Sequence, residues 1–182
     1  LLIIFSAPTL LLCQGKQDYI WLFGVDEATF PGETGYLFGF NNPPMEVEEH
    51  DNNIGIGQAN TSICDEDGNL LMYMNGCAVM NREFQLMENG DSLSYNIWWD
   101  LINIDCDTGF NGTQDVIILP TPRQDNLYHI IHKPKIYNGN GLRDSIQLWY
   151  SVVDINANNE LGMVIKKNSI LDNSRYFLTS YL

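Results

Sequence analysis

Residues 60–76 hold two short apolar runs joined by a tight turn. Asn60-Thr61-Ser62-Ile63-Cys64 leads into Asp65-Glu66-Asp67-Gly68-Asn69, and Leu70-Leu71-Met72-Tyr73-Met74 follows, closed by Asn75-Gly76. Asp-Gly between such runs is a strong hairpin signal, because glycine takes a positive φ at no steric cost. The layout returns at residues 115–119, 121–126 and 127–131, and the two turns, ending at Asn69 and Asn126, lie 57 residues apart. A hairpin unit repeated at that spacing predicts a β-propeller or another repeated β array.

The rest of the chain agrees with an all-β fold. Residues 19–24 and 35–40 form apolar runs on either side of a Pro31-Gly32 turn, and 78–81, 115–119, 127–133, 146–154 and 163–171 continue the series. Asn-Gly occurs five times, at Asn75, Asn89, Asn111, Asn138 and Asn140. Turn signals at that density between β-rich runs indicate strands, and no segment carries a sustained helical period. Residues 70–74, 116–119 and 148–153 are apolar without alternation, which predicts strands covered on both faces. Residues 42–57 are polar and acidic and read as a loop. Residues 88–112 read as an inter-strand insertion tipped by Trp98-Trp99. About three blade-like antiparallel units can be drawn, the first and last incomplete, whereas propellers close with about 4–8 blades. The expectation is an incomplete β-propeller over residues 16–182, a fragment of a longer chain.

Residues 1–12 are apolar and too short to span a bilayer comfortably, with small residues at Cys13 and Gly15 where a signal peptidase cuts. We read residues 1–15 as a signal peptide lacking its first residues. A lipoprotein role for Cys13 meets a poor neighbour in Leu12, and a buried strand meets Pro8. Export makes the cysteines candidates for oxidation. Cys77 follows the Asn75-Gly76 turn and Cys106 sits in a long irregular stretch, so a Cys77–Cys106 bridge would tie that stretch to the hairpin, leaving Cys64 as a small core residue. The net charge of −14 disfavours nucleic acid and anionic membrane as partners.

Several segments resemble, in order, a family of secreted Bacteroidetes proteins that carry an N-terminal propeller-like domain. Residues 19–24 are similar to its opening "IWYFG" strand, and 67–76 to its "GNLLFYTNG". Asn81-Arg82 and residues 87–91 continue that block. Residues 113–128 resemble its "TQ…IILP.P…NLYY", and 150–168 its "YSVVDM…GLG.V..KN". The likeness runs over nearly all of residues 19–182. It implies an exported, cell-surface or extracellular β-propeller domain, often followed in the same polypeptide by further modules and a type IX secretion sorting domain. It carries over no catalytic residue. Met72 and Met74 stand where aromatic or polar residues are commoner.

Candidate chemistry is sparse. Asp65, Asp67 and Asn69 alternate as calcium ligands can, but no further acids follow as an EF-hand would require, and Asp and Asn are also the residues that build turns. The acidic run with Glu48, Glu49 and Asp51 could hold a surface cation or stand solvated. His129 and His132, three apart on a strand, face opposite sides. Gly-x-Ser-x-Gly and His-Glu-x-x-His are absent. Trp98 and Trp99 are the best hint of a binding surface, since paired aromatics stack on sugars or anchor proteins. The expected role is a non-catalytic binding or scaffolding domain for a glycan or protein ligand, without cofactor and without membrane insertion after signal cleavage. A propeller glycoside hydrolase using paired carboxylates and a structural spacer in a surface adhesin are the alternatives.

Overall fold

The computed structural model describes residues 15–24, 35–57, 59–95, 106, 109, 115–137, 142–144 and 147–172. The first sheet is the antiparallel series β1 (Ile20–Gly24), β2 (Gly35–Gly39) and β3 (Glu46–His50). The second is β4 (Thr61–Cys64), β5 (Leu70–Met74) and β6 (Val79–Asn81). The chain then forms β7 (Val116–Thr121), β8 (Gln124–His132), β9 (Lys135–Tyr137), β10 (Leu142–Asp144), β11 (Leu148–Asp154) and β12 (Met163–Asp172). The third sheet runs β7-β8-β11-β12, and β9 with β10 makes a separate ribbon. All strand pairings are antiparallel, and each joins strands adjacent in sequence except β8 with β11, between which the chain makes the β9-β10 ribbon.

Local chemistry explains the turns. The Asp65 side chain accepts the backbone N–H groups of Asp67 at 2.9 Å and Asn69 at 2.8 Å, so the hairpin loop is tied from inside. Gly68 sits at φ +88°, a conformation that favours glycine, and a Cβ there would displace the Asn41 side chain, whose Oδ1 would lie 2.3 Å away. Asn75 and Asn81 repeat the device: Asn75 Oδ1 accepts from the amides of Cys77 and Ala78, and Asn81 Oδ1 from those of Glu83 and Gln85. Between β11 and β12 a single turn, α1 (Ala157–Glu160), has left-handed φ values of 50°, 54° and 66° at Asn158, Asn159 and Glu160.

The sheets stack in chain order. Leu22 of β1 packs with Ile54, Ile56, Leu70, Tyr73 and Met80, while Ile20 and Phe84 close the edge of this cluster. On the opposite side of the second sheet, Ile63, Met72, Met74 and Val79 meet Val116, Ile118, Tyr128, Ile130, Val153 and Val164 of the third. Full burial of each such side chain is worth about 1.5–3 kcal/mol, so these two interfaces hold the stack. Strands of different sheets approach most at β1 against β4 and β4 against β7, the first strand of each sheet. The Ser62 hydroxyl donates to the Ile20 carbonyl at 2.6 Å, and the Ile56 amide donates to the Gly24 carbonyl at 2.8 Å across the first of these junctions.

Two expectations change. The stretch 42–57 contains β3, with Glu46 to His50 pairing in register against Gly39 to Gly35. It is an edge strand with almost every side chain exposed, so charge and not apolar alternation fills it. The apolar run 116–119 is covered on one face only: Val116 and Ile118 are buried, whereas Ile117 is 48% and Leu119 44% exposed. The run 70–74 does have both faces covered. Residues 88–95, the continuous described part of the stretch read as an insertion, are built into the core through Leu93 and Ser94, and the Val164 amide donates to the Glu88 carbonyl.

Candidate interaction surface

The acidic side chains singled out in the sequence do not converge. Asp65 spends its carboxylate on the hairpin: Oδ1 takes two backbone amides and Oδ2 accepts from Asn69 Nδ2 at 2.9 Å. Partial burial pushes this carboxyl up, but the Asn69 side chain and the turn amides prevail and hold it below the usual range. Asp67 contributes its carbonyl to Lys16. Glu48 and Glu49 occupy successive positions of β3, opposite Leu37 and Tyr36, and so lie on opposite faces of the sheet. Asp51 Oδ1 accepts the Asn53 amide. Among the described residues no three His, Cys, Asp or Glu side chains form a group that could hold a metal ion. Trp98 and Trp99 lie outside the described residues.

Cys77 and Cys106 are joined in a disulfide, with Cα atoms 5.3 Å apart and a sequence separation of 29. Asn75 reinforces the junction, since its Nδ2 donates to the Cys106 carbonyl at 2.7 Å and to the Gly55 carbonyl at 3.1 Å. Cys64 is buried and free, and burial raises its thiol to about 11, so it stays protonated and unreactive near neutral pH.

A fully buried constellation resembles a nucleophile and base. Ser94 Oγ lies 2.6 Å from His132 Nδ1, and Ser151 Oγ lies 3.0 Å from His132 Nε2. Neither serine has exposed surface, and His132 is 1% exposed. Burial lowers the imidazole to about 4, so it is neutral, one nitrogen donating and the other accepting. Asn168 completes the ring of bonds: its amide donates to Ser151 Oγ, and its Oδ1 accepts the Ser94 amide. Four chain segments meet here around a satisfied polar core. No substrate atom can reach Ser94, and the arrangement clasps residues 92–95 to the third sheet.

The surface open to a partner is the outer face of the first sheet. Register places Trp21 opposite Phe38, Phe23 opposite Tyr36, Phe38 opposite Val47 and Tyr36 opposite Glu49, all on one face. The other face, with Ile20 and Leu22, covers the second sheet. Trp21 is 47% exposed and Phe23 41%. The rings order one another: Trp21 and Phe40 centroids are 5.2 Å apart, and Phe23 meets Phe38 edge-on at 5.3 Å. A groove of about 190 Å³ lies beside this face, lined by Trp21, Phe23 and residues 60–62. Its sequence signal was present in the aromatics at every second position of residues 21–23 and 36–40. A second hollow, about 230 Å³, lies under α1 and is floored by Leu71, Met87, Ile155 and Leu161. Arg82 and Glu160 stand 3.6 Å apart at its edge.

The third sheet is also open outward. Ile117, Leu119, His129, Ile131, Tyr150, Val152 and Lys166 share its outer face by register. His129 Nδ1 is 2.8 Å from Thr121 Oγ1, and Lys166 lies over the Tyr150 ring at 4.3 Å and donates to its hydroxyl. Comparison of the chain with protein-family models, with curated proteins and with solved structures finds no match. Among the described residues no helix is long and apolar enough to cross a membrane.

Proposed function

We propose that the chain is a non-catalytic, exported scaffold of β-propeller type, an arc of three blades that presents binding surfaces at the bacterial cell surface. One observation carries the reading. Three sheets stack in chain order, their first strands are the ones that approach one another, and the outward faces of the first and third sheets remain apolar. Sheets that converge at their first strands and diverge beyond them have the wedge relation of blades around an axis. The Cys77–Cys106 disulfide supports export, because such bonds persist in oxidising compartments. The likeness to secreted propeller-like domains points the same way. The sealed Ser94–His132 pair supports a structural role for that hydroxyl–imidazole arrangement.

The test is incubation with a panel of polysaccharides while new reducing ends are followed. The scaffold reading expects no product above a heat-killed control. Turnover that one Asp→Asn or Glu→Gln substitution abolishes would replace it with a carboxylate-pair hydrolase.

A further inference from the structure

The hollow under α1 lies in the junction between the second and third sheets. One wall is Leu71 of β5 with Arg82 and Met87, and the other comes from the connection between β11 and β12. The walls are tied beside it: the Val164 amide donates to the Glu88 carbonyl at 2.9 Å, and Asn89 Nδ2 donates to the Val164 carbonyl at 2.6 Å. A volume of about 230 Å³ is below the ~300–1,000 Å³ of drug-sized sites and suits a small metabolite. Among the described residues that line it, Arg82 and Glu160 are the only charged ones. They stand 3.6 Å apart, beyond hydrogen-bond distance, and neither side chain makes a hydrogen bond among the described residues. The guanidinium donors and the carboxylate oxygens are thus open to a ligand. Glu160 reaches the rim on a strained backbone, left-handed at Asn158, Asn159 and Glu160 and held by the Leu161 amide on the Asn158 carbonyl and the Gly162 amide on the Ala157 carbonyl. Strain of this kind collects at ligand clamps. Asn156 adds a side-chain amide that does not cap α1. Asp154, close by in sequence, is occupied by Asn126 Nδ2 and the Asn156 backbone amide, each at 3.0 Å.

We propose that this hollow binds a free apolar α-amino acid as its zwitterion, with the carboxylate on Arg82, the ammonium on Glu160 and the side chain on the apolar floor. A cation and an anion set side by side above Leu71, Met87, Ile155 and Leu161 are complementary to a ligand with the same three parts. Charge selects the zwitterion over a simple ion. The net charge of −14 repels an organic anion and Arg82 repels a cation, whereas a neutral zwitterion meets neither penalty. The planar guanidinium takes a carboxylate through two parallel bonds, and Glu160 accepts from the ammonium. The side chains of the pair are 41% and 76% exposed, so a ligand inserts between them without breaking a core contact. Burial of the ligand's apolar side chain supplies the affinity that rim ion pairs lack. The site lies within the described stack, so it depends neither on the number of sheets in the protein nor on its export.

The experiment is calorimetric titration of the purified chain with L-leucine and with L-phenylalanine. The expected result is one saturable site per chain for at least one of them, and no binding of glycine, which has both charges and no side chain. The N-acetyl derivative and the amide of the bound amino acid each keep one charge and should bind at least about tenfold more weakly, the loss expected for a charged hydrogen bond. Arg82→Gln and Glu160→Gln should each weaken the amino acid by a similar factor while the denaturant midpoint stays put, since both positions are exposed. Arg82 also borders a separate hollow of about 460 Å³ between the first and second sheets, where the other charged residue is Glu83. Glu83→Gln should leave binding unchanged. Absence of binding by both amino acids overturns the proposal, as does an amide or N-acetyl derivative that binds as well as the free amino acid, or binding indifferent to Arg82→Gln. Binding lost in Glu83→Gln and kept in Glu160→Gln would put the ligand in the other hollow and equally overturn it.

Discussion

The second sheet and the first are built to the same plan and finished differently. Each is an antiparallel series of three strands. In the second, β5 is covered on both faces, with Tyr73 toward the first sheet and Met72 and Met74 toward the third. In the first, β1 buries Leu22 and leaves Trp21 and Phe23 half in water. The residue types follow the task. Methionine, unbranched and adaptable, fills the irregular gap between two twisted sheets. Rigid aromatics order one another edge to face and hold their shape on an open surface. Coverage of the second face, more than strand pairing, thus separates a core sheet from a presenting sheet.

The sharpest way to break this comparison is to truncate matching side chains. Ile130→Ala or Met72→Ala, each in the core between the second and third sheets, should cost about 2–5 kcal/mol in denaturant unfolding. Phe23→Ala on the open face of a monomer should cost less than about 1 kcal/mol. Equal losses at the two positions would erase the distinction between the sheets.

Reduction of Cys77–Cys106 comes next. The bond closes a loop of sequence separation 29, which in the chain-entropy account stabilises by about 3.5 kcal/mol. Denaturant midpoints with and without reductant read this directly, and the denatured oxidised chain should show two fewer titratable thiols than the reduced one. An unchanged midpoint would show that the bridge adds nothing to the second sheet.

The His132 clasp gives a pH dependence with a definite sign. Burial depresses the imidazole to about 4 in the folded protein, against about 6.5 when unfolded. The unfolded chain therefore binds the extra proton between those values, and stability falls as pH drops from 6.5 toward 4. The full window amounts to about 3 kcal/mol by linkage. Below pH 4 both states are charged at this site and its contribution is flat. His132→Gln should lower stability at pH 7 and remove most of that slope, as read by unfolding curves at pH 7, 6, 5 and 4.5. The smallest effect is expected at Arg82, whose 3.6 Å pair with Glu160 is exposed. Arg82→Ala should change stability by under about 0.5 kcal/mol, within the range of surface ion pairs.

What the sequence disclosed was the part of the fold that is local. The Asp65–Asn69 loop, the Asn75-Gly76 turn and β5 are written in adjacent residues, and the Cys77–Cys106 pairing could be singled out from where each cysteine sits. β3 was not legible, because an exposed edge strand of Glu46 to His50 has no apolar period to detect. The open face of β7 was misread for the opposite reason: Ile117 and Leu119 are as apolar as their buried neighbours, and composition does not say which sheet lacks a cover. The His132 clasp joins residues 94, 132, 151 and 168, and nothing local links them. The aromatic surface was visible as a pattern at residues 21–23 and 36–40, but its meaning needed the stack that leaves it uncovered.

Hydrogen exchange of β5 against β2 tests the central claim most directly. Both are middle strands of three-stranded sheets, with amides paired on both sides, and they differ in coverage of the second face. β5 amides should exchange slowest among the strands of the three sheets and only through global opening, with β2 exchanging earlier through local opening. Equal protection of β2 and β5, or faster exchange of β5, would contradict a second sheet sandwiched between the other two.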